Sequence, residues 1–372
     1  MPVHLQVVVC GVDRTHSGCC TRSTSQEQIQ RLRSDASKLW RVVSRRHASA
    51  SERVERPRKL GVMSAQPHPA LERVLRTEPA AAAMRLLTEE MSGTDLTTFL
   101  LEVARRRADR VEPADLIRQY QRDRFVAPAQ VDPLRVAELG VRALRACAPR
   151  FTPVGLAPLA PFGTHAALGE VHQNNVVTTM RPGEVTADPT TALALEAAVQ
   201  RRVLLANDAT SSETVRLAAV DRVLRAQVFE GSRSFAHFTL LGLVTAGRDT
   251  GNQDFEAGAL IDQIGVLTGW LRHALSCRLV VRLTDFGGHH GGVLDRAIAG
   301  AESDGVTCEI WPERTEGRGY YPTVCFKLAV VNPREEVEVG DGGFVDWTRD
   351  LLHNGKERLM IAGLSLERLA ML

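Results

Sequence analysis

The sequence of 372 residues predicts an α+β protein, with an antiparallel sheet flanked by helices and preceded by a small helical domain. Two observations predict this fold. In residues 151–372, the predicted second domain, short apolar runs alternate with polar turns of hairpin length. This pattern is typical of an antiparallel sheet rather than a doubly wound parallel one. Residues 63–150 instead show helix-start signals and helical spacing of their apolar side chains.

Residues 1–62 are predicted to form a disordered basic arm. They contain 12 Lys and Arg against 5 Asp and Glu, and they show little apolar periodicity. Such a segment cannot bury enough apolar surface to fold. An unstructured extension and a nucleic-acid contact are both compatible with this composition. Met63 resembles the first residue of a natural protein, so residues 1–62 are also interpretable as an artefact of a start codon assigned too far upstream.

The helical domain is predicted from its capping residues. Ser92 precedes one apolar periodic run, and Glu112-Pro113 opens a second helix. Asp132-Pro133 opens a third. The side chains that this third helix is expected to turn toward a core are Val136, Leu139, Val141 and Leu144.

The second domain is predicted to alternate strands and helices. Apolar runs predict strands at Val176–Met180, Val215–Val228, Phe238–Val244, Leu279–Leu283, Val306–Ile310 and Val324–Val331. Helical periodicity predicts helices at Thr190–Ala206, Phe255–Leu275, Val293–Ala301 and Val345–Leu352.

Composition argues against several classes of protein. No run approaches about 18 apolar residues and no signal peptide is evident, so we expect a cytoplasmic protein without a membrane partner. The seven scattered cysteines include no Cys-x-x-Cys pair, which favours reduced thiols over a zinc site. His289 and His290 lie in a glycine-rich loop, but a metal site needs three or four convergent ligands, so no metal site is predicted.

Five segments of the second domain carry the functional prediction. An arginine on each limb of a strand–loop–strand unit, with an aromatic residue at the return, is suited to clamp a nucleotide. A guanidinium offers bidentate bonds to phosphate, and an aromatic face supports a purine. The segments are Met180–Ala187, Arg222–Phe238, Gly317–Phe326, Asp341–Asp346 and Gly363–Leu369.

These segments resemble the catalytic core of class II aminoacyl-tRNA synthetases, particularly histidyl-tRNA synthetase and its paralogue, the regulatory subunit of ATP phosphoribosyltransferase. Arg181–Ala187 is similar to the family's Arg-Pro-Glu-Gly-Thr-Ala segment, and Leu224–Phe238 resembles motif 2. Tyr320–Phe326 is similar to its Tyr-Tyr-Thr-Gly-Thr-Val-Phe strand, and Asp341–Asp346 to its Gly-Gly-Arg-Tyr-Asp turn. Gly363–Leu369 resembles motif 3.

The resemblance implies a nucleotide site for ATP with Mg²⁺. Arg225 would bind the α-phosphate and Arg368 the γ-phosphate, while Phe238 would stack on adenine. Arg233 is the further nucleotide-binding residue. The implied catalytic residues are Arg225, Arg368 and Arg318.

The resemblance also implies an amino-acid site. Arg181, Glu184 and Thr186 come from the first segment, and Glu184 would bind the α-ammonium group. Tyr320 and Tyr321 complete this predicted substrate site.

The sequence departs from the family pattern at several points. Gln227 stands where motif 2 ends in Glu, and Ser365 replaces a usual Gly of motif 3. The family's catalytic arginine before the tyrosine pair is either replaced by Glu316 or shifted to Arg318. The sequence ends three residues after Leu369, so no anticodon-binding domain is expected.

Three functions follow as hypotheses. The first is an ATP-dependent ligase that forms an aminoacyl-adenylate and passes the acyl group to a tRNA or protein acceptor. The second is a non-catalytic regulatory subunit of ATP phosphoribosyltransferase, which would sense histidine. The third is an RNA-binding module that uses the helical domain. By resemblance, a homodimer would form through Phe151–Pro161.

Overall fold

The structure is a computed structural model that describes residues 69–169, 171–227, 235–275, 278–303, 305–333 and 335–372. The predicted arm, residues 1–62, lies outside these ranges. No helix within the described ranges is long and apolar enough to cross a membrane.

A mixed sheet of eight strands organises the described residues, in the order β1-β4-β5-β10-β9-β8-β6-β7. A separate two-stranded sheet is formed by β2 and β3. The strands are β1 (Thr152–Pro153), β2 (Leu159–Pro161), β3 (Gly183–Val185), β4 (Val215–Leu224), β5 (His237–Arg248), β6 (Arg278–Asp285), β7 (Thr307–Ile310), β8 (Val324–Val331), β9 (Glu336–Val345) and β10 (Glu357–Ser365).

Helices connect and cover these strands, and three of them begin at the predicted caps. The side chain of Ser92 accepts from the amide of Asp95, and that of Asp132 accepts from the amide of Leu134. Glu112 precedes the helix that begins at Pro113. The helices are α1 (Pro69–Leu75), α2 (Glu78–Arg85), α3 (Gly93–Ala108), α4 (Pro113–Arg122), α5 (Pro133–Cys147), α6 (Thr164–Leu168), α7 (Pro189–Asn207), α8 (Asp254–Ala274), α9 (Gly291–Ser303), α10 (Trp347–Leu352) and α11 (Leu366–Ala370).

The predicted α+β class is confirmed, with a correction at the edges of the sheet. Pairing is antiparallel from β4 through β6. However, β1 pairs with β4 and β7 pairs with β6 in parallel. The second parallel pair arises because α9 lies between β6 and β7 and carries the chain back before the next strand starts.

Two predicted segments differ from the structure. Val176–Met180 does not form a strand, since it meets β3 only through a bridge between Thr178 and Glu184. Asp341–Asp346 is predicted as a turn, but most of it lies inside β9. A Cβ at Gly342 would lie 2.6 Å from the carbonyl oxygen of Ile361, so only glycine allows β10 to approach this closely.

Helices cover both faces of the sheet. On one face, α5, α8 and α9 bury apolar side chains such as Leu139, Leu260 and Val293. On the other face, α7 packs Leu193 and Ala197 against the strands. Val141, predicted to face the core, is 50% exposed because the buried face of α5 follows positions 136, 139, 143 and 147.

Candidate functional site

Two adjoining cavities lie where β5, β9 and β10 meet the start of α7. The larger has a volume of about 310 Å³ and the smaller about 150 Å³. Asp188, Arg225, Asp341 and Gly363 line both, so the two cavities share a wall. The larger is also lined by His165, Gly169, Val171, Asn175, Ala187, Thr190, Thr191, Gln227, Tyr320, Tyr321 and Ile361, and the smaller by Phe235, Phe238, Leu240, Glu338, Val339, Gly340, Ser365 and Arg368.

Arg225 lies at the junction of the cavities. It follows the last residue of β4, and its Nε donates to the carbonyl oxygen of Ala187 at 2.9 Å. Its Nη2 lies 3.4 Å from Oδ2 of Asp188, the N-cap residue of α7. These contacts fix the guanidinium between the loop before α7 and the sheet.

The smaller cavity brings together three residues of the predicted nucleotide site. The ring centroid of Phe238 lies 5.2 Å from Cζ of Arg225. Arg368, in α11, is exposed and donates to the carbonyl oxygen of Glu338 at 3.1 Å. The oxygen Oγ of Ser365 accepts from the amide of Arg368, which explains a capping serine at this position. Arg233 lies outside the described residues.

Glu184 is placed differently from what the resemblance implies. Its side chain is fully buried and lines neither cavity in the described part of the chain. Its Oε1 accepts from the amide and Nδ1 of His165 at 2.9 and 2.6 Å, and its Oε2 accepts from Gly163 and Gln173 at 2.9 and 3.0 Å. Burial raises the pKa of Glu184, but these hydrogen bonds outweigh it and the pKa is lowered overall. The carboxylate anchors the fold beside the site.

His165 links Glu184 to the wall of the larger cavity through hydrogen bonds. While Nδ1 faces Glu184, Nε2 of His165 accepts from the amide of Ala187 at 3.0 Å. The same residue Ala187 accepts from Arg225 through its carbonyl oxygen. A buried chain of hydrogen bonds therefore runs from Glu184 through His165 and Ala187 to Arg225.

Two other predicted substrate residues lie away from the cavities. Arg181 is exposed, and neither cavity includes it among its described lining residues. Thr186 is buried beside β4, where its carbonyl oxygen accepts from Leu224, and its Oγ1 has no hydrogen-bond partner within the described ranges.

Tyr320 and Tyr321 both line the larger cavity. Their rings meet edge to face at 4.8 Å, and the hydroxyl of Tyr321 donates to Oδ2 of Asp341 at 3.2 Å. Burial, followed by nearby carboxylates, raises the pKa of both tyrosines well above the ordinary value, so both are protonated at neutral pH. Desolvation in the cleft also raises the pKa of Asp341.

Arg318, predicted to be a catalytic residue, lies away from the two cavities. Its guanidinium stacks on Phe286 at 4.7 Å and lines neither cavity in the described structure. Arg314 instead lies buried beneath the site, with Nη2 3.7 Å from Oδ2 of Asp341 and Cζ 5.8 Å from the ring of Tyr321. The sequence does not indicate Arg314, because this residue lies in the loop between β7 and β8 rather than at a regular strand position.

Asp188 and Asp341 line the site, although the sequence analysis gave neither a role of its own and included Asp341 only as the start of the segment Asp341–Asp346. Asp188 is identifiable from sequence as the cap of α7, and its Oδ1 accepts from the amide of Thr190 at 2.9 Å. The sequence explains Asp188 as a helix cap and therefore does not reveal its second role, in which Oδ2 accepts from Arg225.

In the described part of the molecule, no cluster of three or more His, Cys, Asp or Glu side chains is arranged to hold a metal ion.

Comparison with solved structures identifies the fold. Apo histidyl-tRNA synthetase from S. aureus aligns with a TM-score of 0.51 and 13% identity over 65% of this chain and 67% of that chain. A structure described as an ATP phosphoribosyltransferase regulatory subunit/histidyl-tRNA synthetase from Bacillus halodurans aligns with a TM-score of 0.49 and 13% identity over 66% and 81% of the two chains. A histidine–tRNA ligase subunit from Alicyclobacillus acidocaldarius aligns with a TM-score of 0.49 and 12% identity over 66% and 94%. No family model and no curated protein matches the sequence. The similarity to the S. aureus enzyme confirms a class II synthetase-like fold.

Proposed function

We propose that the chain binds ATP and an amino acid in the adjoining cavities and joins them as an aminoacyl-adenylate. The observation that carries this proposal is the position of Arg225, which lines both cavities. A guanidinium at such a junction can contact the α-phosphate of a nucleotide on one side and a substrate carboxylate on the other.

The smaller cavity would hold the nucleotide. Arg225 and Arg368 supply positive charge at its wall, and Phe238 offers a face for adenine. Glu338 lines the same cavity, and its carboxylate would hold Mg²⁺ together with phosphate oxygens. Bound there, the ion would screen the charge of the phosphates.

The larger cavity would hold the amino acid. Since Glu184 is committed to His165, Gly163 and Gln173, another carboxylate has to bind the α-ammonium group. Asp188 and Asp341 both line the cavity, so we assign the ammonium group to this pair.

The reaction requires few protein groups. A carboxylate oxygen of the amino acid would attack the α-phosphorus of ATP while the bond to pyrophosphate breaks. Charge on the five-coordinate phosphorus would be stabilised by Arg225, whose guanidinium the Ala187 carbonyl holds in place. A homodimer through Phe151–Pro161 and a tRNA or protein acceptor stay predictions.

A specific observation favours the non-catalytic alternative, a regulatory subunit that binds histidine. Arg318 stacks on Phe286 and Arg314 lies beneath Tyr321, and neither is among the described lining residues of the two cavities. Gln227 lines the larger cavity where the family has a charged Glu. Loss of these groups would weaken catalysis more than binding, because binding does not require stabilisation of the transition state.

ATP–pyrophosphate exchange with the purified protein, measured with each amino acid in turn, tests the proposal. Exchange that depends on one amino acid and is lost in Arg225→Ala is the expected result. Binding of histidine without exchange would support the regulatory alternative. Absence of both exchange and amino-acid binding would contradict the proposed site.

A further inference from the structure

A second cleft lies between α5 and α8, on the face of the sheet opposite α7. Its volume is about 430 Å³. Because α5 and α8 belong to one hydrophobic cluster and α7 belongs to another on the opposite face of the sheet, the cleft is separate from the candidate site. It is lined by Arg142, Arg145, Ala146, Gly265, Val266, Gly269, Trp270 and His273.

The polar groups at this cleft are predominantly hydrogen-bond donors. Arg142 donates from Nη2 to the carbonyl oxygen of His273 at 3.0 Å, which leaves its other N–H groups at the cleft. The side chain of Arg145 is exposed and forms no ion pair or hydrogen bond with the described residues. Among the described lining residues none is Asp or Glu, so the cleft carries net positive charge.

Trp270 adds a donor without an acceptor. The residue is only 5% exposed, and its indole Nε1 is buried with no hydrogen-bond partner in the described structure. Buried N–H groups in folded proteins almost always have a partner. Trp270 lines the cleft, and an acceptor that reaches this N–H would supply the missing partner.

Two glycines keep the cleft open. A Cβ added to Gly265 or Gly269 would meet no atom within 4 Å, so the space above this stretch of α8 is empty. Glycine inside a helix is less favourable than alanine. The helix therefore gives up stability at two positions where a side chain would enter the cleft.

We propose that this cleft binds the oxyanion of a small molecule, either a phosphate monoester or a carboxylate. The arginine guanidinium groups would pair with the charge, and the indole N–H of Trp270 would donate to one oxygen. Ala146, Val266 and the indole ring would contact a flat apolar part of the ligand. This site goes beyond the proposed function and does not depend on it.

The test uses the full chain labelled with ¹⁵N at tryptophan, in which the four indole N–H signals are followed by NMR. Trp270→Phe identifies the signal of Trp270. The probes are phenyl phosphate, benzoate and inorganic phosphate, with phenol as the neutral control. We expect phenyl phosphate or benzoate to shift the Trp270 signal downfield in a saturable manner, and phenol to leave it unchanged. Titration with inorganic phosphate shows whether the anion binds by itself or whether binding also requires the aromatic ring of phenyl phosphate.

Variants that preserve the fold make the test specific. Gly269→Ala should keep or raise the melting temperature and weaken phenyl phosphate binding by about tenfold or more, since its methyl group occupies open space at a residue that lines the cleft. Gly258→Ala is the matched control, because Gly258 is exposed on the same helix with open space around it and lies outside the cleft. Arg145→Gln should weaken binding, and Arg225→Ala should leave it unchanged. No shift at millimolar probe, equal shifts of all four signals, or unchanged binding in Gly269→Ala would overturn the proposal.

Discussion

Glu184→Gln separates the role implied by family resemblance from the role in the structure. The Glu184 carboxylate accepts four hydrogen bonds, two on each oxygen, from Gly163, His165 and Gln173. Glutamine replaces one oxygen by an NH₂ group, so two donors lose their acceptor and face another donor. At about 1.5–3 kcal/mol for each hydrogen bond to a charged group, the free energy of unfolding should fall by about 3–6 kcal/mol.

The assay is thermal and urea unfolding of wild type and Glu184→Gln, with the exposed Glu138→Gln as the matched control. A chain of this size loses about 2 °C of melting temperature per kcal/mol, so we expect a decrease of about 6–12 °C. Because the pKa of Glu184 is lowered on folding, its contribution is fully present above the unfolded value of about 4.3 and is lost as the pH falls through the lowered value. Unchanged stability together with lost amino-acid binding would refute the reasoning and restore Glu184 as the ammonium ligand.

Three further perturbations test other parts of the structure. Phe238→Leu should weaken ATP binding by about 1–3 kcal/mol, the scale of base–aromatic stacking, and leave tripolyphosphate binding unchanged in calorimetry. Glu357→Gln should lower the free energy of unfolding by about 3–5 kcal/mol, because the fully buried Arg201 donates to both Glu357 oxygens at 2.8 Å. A loss below about 1 kcal/mol, the value typical of a surface ion pair, would contradict this role of the buried pair. Since the pKa of Asp341 is raised, amino-acid affinity should increase as the pH rises through that pKa, and Asp341→Asn should flatten this dependence; an identical pH profile in the variant would exclude Asp341 as the ammonium ligand.

Local signals in the sequence were sufficient for most elements of the fold. Ser92 and Asp132 cap helices as predicted, because a cap is decided by a few neighbouring residues. The run Val324–Val331 is a strand with the predicted bounds. Val141 was assigned to the wrong face because apolar character alone does not give the orientation of a helix against its sheet.

The site was predictable only in part. Arg225, Phe238 and Arg368 meet at one cavity because all lie on or next to strands whose pairing fixes their positions. Long-range contacts decide the rest. Glu184 is held by His165 across a gap of 19 residues, and Arg314 reaches Asp341 from a loop, so neither arrangement has a spacing that the sequence displays.

The central claim is that Arg225 helps to bind a nucleotide, and calorimetric titration of ATP into wild type and Arg225→Ala tests it most directly. Loss of charge-assisted bonds worth about 1.5–3 kcal/mol predicts a fall in ATP affinity of about 10- to 100-fold, with partial rescue by Arg225→Lys. The melting temperature should change little, since the ion pair with Asp188 is partly exposed and long at 3.4 Å. Absence of ATP binding by wild type at millimolar nucleotide, or equal binding by Arg225→Ala, would contradict the account.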